Sequence, residues 1–289
     1  MQAAANALPE TQRQRIPDYL SEALYQKLKT KAGDNWKTVA KALTSSKPFN
    51  LTKHEWKFFD EFIDSFGRAS APQIASSIAK IIDDRRRPEA ILSFNAEPLL
   101  YGLINCHYGY VNPESVMQND IKVLKRLSHD LASRQQGQIP YYYVHGVLPV
   151  PEGRAEFNST IGADKLVFTE SQYLQLSRST YSWQSATFLA SCIHHRCVFI
   201  GLSFSDPNLR RWLAWEHEGK TTQRQQRNLR TDRFTHYWFK KRPHPKRATL
   251  STEQILIEKS VEHLGVKVVW LDDWSKAGEM LDLMLQPEK

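Results

Sequence analysis

Three stretches decide the fold: Ile91-Leu92-Ser93-Phe94-Asn95-Ala96-Glu97, Tyr141-Tyr142-Tyr143-Val144-His145-Gly146, and Cys197-Val198-Phe199-Ile200-Gly201-Leu202-Ser203-Phe204-Ser205-Asp206-Pro207-Asn208-Leu209-Arg210. Each runs a short apolar or aromatic strand into a polar residue at its carboxyl end. Open α/β sheets place their ligand groups there. The expectation is an α/β fold with a mainly parallel sheet, in which an Asn, a His and a Gly-x-Ser meet at one crevice.

Around these junctions, strands are expected at 90–94, 141–145, 197–201 and 266–271, and helices near 119–133, 171–177, 182–193, 207–216, 252–264 and 275–285. Such alternation argues for a sheet covered by helices. Gly153 to Asp164 reads as a surface loop, and the first half of Thr221 to Lys246 as a poor helix or strand candidate. The first ninety or so residues have a different character. Ile16 to Lys31, Trp36 to Leu43 and Thr52 to Phe66 carry apolar stripes at helical spacing, the last through Trp56, Phe59, Phe62 and Ile63. A further helix opens at Pro72, presents Ile74, Ile78 and Ile81, and ends before Pro88. The expected organisation is a helical amino-terminal region over 1–88, packed on a main domain over 89–289.

Composition excludes several classes. No run approaches the ~18 apolar residues needed to cross a bilayer, and Met1 to Glu10 lacks the pattern of a secretory signal. A cytoplasmic protein with no membrane contact is expected. The three cysteines, Cys106, Cys192 and Cys197, allow neither a disulfide framework nor a four-thiolate zinc site. Cys192 and Cys197 flank His194 and His195, but one ends a helix and the other begins a strand, so convergence on a metal is not expected. The net charge of +8 concentrates between Gly219 and Leu250, where ten basic residues face one acid, Asp232. That segment is a solvated surface or a weak candidate for nucleic acid.

Taken singly, the polar residues at the junctions have plain structural uses. Asp206 and Pro207 suit the N-cap and first position of a helix. Gly201 permits close approach to the backbone, and Ser203 offers a hydroxyl. His145 is suited to hydrogen bonding within the fold or to general-base work. Asn95 suits a turn, or a site that holds a water or a ribose hydroxyl.

Their order is more specific than their identities. Phe94-Asn95 followed by an acid, then His145-Gly146, then Leu166 to Leu176 (LVFTESQYLQL) and Phe199 to Leu213 (FIGLSFSDPNLRRWL), resembles the SIR2-like, sirtuin-related family of bacterial proteins that cleave NAD in antiphage defence. The resemblance runs from about Ile91 to Trp215, with a fainter continuation over Gly265 to Trp274. It implies a Rossmann-like fold with NAD as substrate and no metal. It implies that Asn95 positions the nicotinamide ribose or the attacking water and that His145 is the base. Ser93, Phe94, Gly201, Ser203 and Asp206 would bind the dinucleotide. The implied activity is NAD glycohydrolysis by a defence effector, either a homo-oligomer or one working with a partner protein of its defence system.

The chain departs from the family at two places. Thr-Thr-Asn-Tyr-Asp reads here as Ser93-Phe94-Asn95-Ala96-Glu97, and Gly-Ala-Gly-x-Ser, the loop that holds the pyrophosphate, does not occur between Met1 and Pro88. The chain then either starts late or has a diverged phosphate site. A second expectation follows: a catalytically impaired module that binds NAD or an ADP-ribose-type nucleotide, or serves in assembly. Protein deacylation is not expected, because the four cysteines of the sirtuin zinc site are missing.

Overall fold

The computed structural model describes residues 16–45, 51–66, 70–81, 88–111, 124–127, 139–159, 166–167, 182–229, 234–243 and 250–284. The chain is mixed α/β and divides into two compact units, Met1–Tyr173 with Gly278–Lys289, and Leu174–Ala277. The helix expected at 171–177 and most of the Leu166 to Leu176 motif lie outside the described residues.

In the first unit, helices α1 (Ile16–Ala32), α2 (Trp36–Leu43), α3 (Lys53–Asp64) and α4 (Ser70–Ile81) precede the sheet. Helix α3 starts where its sequence dictates. The Thr52 hydroxyl accepts from Glu55 N–H at 3.2 Å, and the Glu55 carboxylate accepts from Thr52 N–H at 2.7 Å, a reciprocal capping box. Its apolar stripe of Trp56, Phe59, Phe62 and Ile63 is buried, as are Trp36, Val39, Ala40 and Leu43 of α2. Strand β1 (Ile91–Ser93) leads to α5 (Leu99–Val111), and β2 (Leu124–Leu127) to β3 (Ile139–Tyr143). The order is β1-β3-β2, all parallel, with Ile91 opposite Tyr141 and Leu124 opposite Ile139. Every residue of the central strand β3 is buried, the pattern of a parallel strand covered on both faces.

Three expectations change here. The region read as a helix over 119–133 contains strand β2, whose sequence Leu-Lys-Arg-Leu carries no strand signal of its own. Strand β3 runs from Ile139 to Tyr143, two residues ahead of the expected 141–145 at both ends, with Pro140 inside it. The loop expected over Gly153 to Asp164 holds a short helix, α6 (Ala155–Ser159). Helix α5 was not expected at all. Its Gly102 reads as a breaker, yet it marks close packing, because a Cβ there would lie 2.9 Å from the Ala42 carbonyl oxygen of α2.

In the second unit, α7 (Trp183–His194) leads to β4 (Val198–Ile200), and α8 (Pro207–Gln226) to β5 (His236–Lys241). Helix α9 (Thr252–Glu262) and strand β6 (Val266–Leu271) complete this α/β unit, and α10 (Ala277–Met284) closes the described chain. The sheet order is β4-β5-β6, again parallel, with Val198 opposite Tyr237 and His236 opposite Val266. Phe188 of α7 packs on Phe199 of β4 and on Trp212 of α8, with ring centroids 6.2 and 5.6 Å apart. Helix α8 runs ten residues past the expected end at 216. Strand β5, at the centre of its sheet, lies in the second half of the Thr221 to Lys246 stretch, where no strand was expected.

Part of the basic segment is neutralised locally. Lys241 pairs with Asp273 at 2.8 Å, Arg242 with Asp272 at 3.4 Å, and the Lys240 ammonium lies 4.6 Å from the Trp238 ring centroid. Among the described residues no helix is long and apolar enough to cross a membrane.

Candidate functional site

Strands β1 and β3 are hydrogen-bonded neighbours running the same way, so their carboxyl ends coincide. Ser93 sits opposite Tyr143, and Val144 N–H donates to the Ser93 carbonyl at 2.9 Å. One residue further along each chain, the rings of Phe94 and His145 meet edge to face, with centroids 5.1 Å apart and planes at 86°. The register thus brings the Ser93 to Glu97 junction and the His145 junction together. Leu148 N–H to the Ala96 carbonyl at 2.8 Å, and Val167 N–H to the His145 carbonyl at 3.0 Å, hold the two loops in place.

Asn95 is exposed at the tip of the first junction. Its backbone N–H donates to the Ser93 hydroxyl at 3.3 Å, and its side-chain Nδ2 donates to Glu97 Oε1 at 3.4 Å. With the amide nitrogen turned to Glu97, the amide oxygen is the group that accepts from a water or a sugar hydroxyl. Glu97 is a residue the sequence reading quoted without giving it a role. Its other carboxylate oxygen accepts from Leu99 N–H at the start of α5, close to the helix dipole. Burial pushes the Glu97 carboxyl above the usual carboxylate range, against the lowering by the Leu99 and Asn95 hydrogen bonds. The Tyr141 and Tyr25 hydroxyls are pushed upward too, first by burial and then by the Glu97 charge. An acid that keeps its proton more readily than usual therefore stands beside Asn95. The signal for it was the acidic residue two places after the Asn.

The third junction lies in the second unit. Gly201 adopts φ +74°, a conformation that disfavours side chains, and it is exposed, with no atom within 4 Å of where a Cβ would stand. The Ser203 hydroxyl bonds the Ser205 hydroxyl at 2.5 Å and accepts from Ser205 N–H at 3.3 Å. Asp206 Oδ1 accepts from Asn208 N–H at 2.8 Å, which makes Asp206 the N-cap of α8 with Pro207 behind it. Between them Phe204 holds a strained φ of +54° while its buried ring packs on Trp238, centroids 4.7 Å apart. This loop is shaped by its own packing and hydrogen bonds.

A scan against protein-family models matches a SIR2-like domain over residues 108–264, more than half of the chain. The chain belongs to the SIR2-like family. SIR2-like domains use NAD. The matched span includes His145, Gly201, Ser203 and Asp206, while Ser93, Phe94 and Asn95 precede it. Their link to the SIR2-like site rests on the β1–β3 register that sets Asn95 and His145 at one sheet end. No curated protein matches the chain. Among the described residues, no group of three or more His, Cys, Asp or Glu side chains is arranged to hold a metal ion.

Proposed function

We propose that the chain is an NAD glycohydrolase, releasing nicotinamide from NAD, and that it acts as an antiphage defence effector. The observation that carries the chemistry is the shared carboxyl end of β1 and β3, where exposed Asn95 and the Phe94–His145 ring pair stand together. Cleaving the bond between nicotinamide and ribose builds positive charge on the ribose ring, and water must add to the carbon that nicotinamide leaves. In this reading the Asn95 amide oxygen holds that water or a ribose hydroxyl, with Glu97 fixing the amide through Nδ2. His145 takes up the proton as the water or hydroxyl attacks. Placement and charge stabilisation supply most of the rate, and the general base adds about 10² to 10⁴-fold. The family resemblance gives Ser93, Phe94, Gly201, Ser203 and Asp206 roles in binding the dinucleotide.

The test is turnover. Purified protein incubated with NAD is expected to release nicotinamide and leave ADP-ribose, and His145→Ala is expected to lower the rate at least about 10²-fold. Full activity in His145→Ala contradicts the assignment of the base.

One observation favours a second reading, a module that binds NAD or an ADP-ribose-type nucleotide without cleaving it. Gly-Ala-Gly-x-Ser is missing between Met1 and Pro88. Calorimetric binding of NAD with no nicotinamide release selects this alternative.

A further inference from the structure

At the far end of β4 from Gly201, the last turn of α7 and the first residue of the strand region bring two thiols together, against the sequence expectation that they need not converge. Cys192 Sγ and Cys197 Sγ are 3.7 Å apart, within hydrogen-bonding distance for sulfur. Cys192 is buried, whereas Cys197 is partly exposed beside the exposed loop residues His195 and Arg196. Three further groups surround the pair. Cys197 N–H donates to His236 Nδ1 at 3.1 Å, His236 Nε2 faces Glu216 Oε2 at 3.2 Å, and the Lys220 ammonium bonds both the Glu216 carboxylate and, at 2.7 Å, the Cys192 carbonyl oxygen.

We infer that Cys197 and Cys192 form a hydroperoxide-reactive dithiol, with Cys197 as the attacking sulfur and Cys192 as the resolving one. The placement of each thiol fits its part. Cys197 is the one a small oxidant reaches, and Cys192 is held behind it in contact. The sulfurs need only close from 3.7 Å to the bond length of about 2 Å. The acidities agree with this division. The hydrogen bond from Cys192 holds the Cys197 thiol below its ordinary range, against burial and with help from His236, while the same bond and burial push Cys192 up.

The chemistry balances with peroxide as oxidant. The Cys197 thiolate attacks one oxygen of hydrogen peroxide. The O–O bond breaks, a sulfur–oxygen bond forms, and the departing hydroxide takes a proton from solvent. Cys192 sulfur then attacks the sulfenic sulfur of Cys197, the S–O bond breaks, and the Cys192 proton leaves with the hydroxyl as water. Two thiols are oxidised to one disulfide, and one peroxide is reduced to two waters. This inference does not depend on NAD chemistry.

The experiment treats the reduced, full-length protein with stoichiometric hydrogen peroxide and reads intact mass and disulfide-linked peptides. The wild type is expected to lose two hydrogens through a Cys192–Cys197 crosslink, with Cys106 still alkylatable after unfolding. Cys192→Ala is expected to stop at a sulfenic acid on Cys197 that dimedone traps. Cys197→Ser is expected to slow loss of the remaining thiols at least about tenfold. Overturning results are an unchanged wild-type mass, first oxidation at Cys106, sulfinic acid on wild-type Cys197 in place of the crosslink, or no dimedone adduct in Cys192→Ala. Circular dichroism on each variant confirms that the fold is kept, and the wild-type crosslink is decisive without any variant.

Discussion

The two units present polar residues at strand ends in contrasting ways. At the end of β1 and β3, Asn95 is exposed, its backbone N–H donating to the Ser93 hydroxyl at 3.3 Å and its Nδ2 to Glu97 at 3.4 Å. At the end of β4, Asp206 caps a helix at 2.8 Å, and Ser203 is bonded to Ser205. Both junctions spend side chains on the backbone that follows: Ser93 accepts from Asn95 N–H and Glu97 from Leu99 N–H in the first, Ser203 from Ser205 N–H and Asp206 from Asn208 N–H in the second. The contrast lies in Asn95, whose side chain bonds another side chain, Glu97, where Asp206 accepts from the backbone of the helix it caps.

That contrast separates effects on turnover from effects on stability. The largest expected effect is on turnover. Asn95→Ala should lower nicotinamide release about 10²-fold if, as proposed, the amide holds the attacking water or ribose, while thermal stability stays within about 0.5 kcal/mol, as for an exposed substitution. A fall in melting temperature that accounts for the lost activity would place Asn95 with the structural residues. Next in size is Glu216→Ala in the second unit. It leaves Nε2 of buried His236 without its partner and is expected to cost about 3 kcal/mol, read by denaturant unfolding.

The pH dependence of that network is a further check. Burial would raise the Glu216 carboxyl, but hydrogen bonds from His236 and Lys220 outweigh it and hold the group below its ordinary value of 4.5. A depressed acid stabilises the fold above its unfolded value, and the contribution is lost as pH falls through the folded one. The stability gap between wild type and Glu216→Gln should therefore be fullest between about pH 5 and 6, and shrink with acidification as Glu216 takes up its proton. It should shrink again at higher pH as His236, held above its ordinary value in part by the Glu216 bond, loses its own. A gap that widens below about pH 5 contradicts the network.

Smaller effects follow. Gly102→Ala forces a Cβ to 2.9 Å from the Ala42 carbonyl and is expected to cost about 1 to 3 kcal/mol in the first unit. Asp206→Ala removes one helix cap and is expected to cost about 1 kcal/mol. If Asp206→Ala instead abolishes NAD binding at unchanged stability, the third junction belongs with the first in the ligand-facing class.

Much of the fold was legible because strands β1, β3, β4 and β6 are apolar runs bounded by turn residues, and α2 and α3 carry clean stripes. The rest was hidden for identifiable reasons. Strand β5 is aromatic at its heart, but it ends in Lys240 and Lys241 inside a basic stretch, and the pair with Asp273 that offsets Lys241 is tertiary. Strand β2 is four residues with two charges, and pairing with β3 decides its state. Helix α5 is mostly apolar with glycines inside, and its polar Asn105 is buried and its His107 set against Asp60, so its sequence shows no clean face. Within the candidate site, Asn95 and His145 were visible as strand-end residues, and parallel register explains why they share one edge. Glu97 passed unassigned because its burial, which gives its carboxyl an unusual proton affinity, is not written in local sequence. The convergence of Cys192 and Cys197 was missed for a similar reason. A helix end and a strand start diverge unless the turn between them is tight, and here only His195 and Arg196 separate the end of α7 from Cys197.

Nicotinamide release from NAD by the purified wild-type protein, run beside Asn95→Ala, tests the central claim most directly. The expected result is steady release by the wild type and about a hundredfold less by the variant, with both proteins equally folded. Equal release by the two, or NAD left intact by the wild type over many hours, contradicts it.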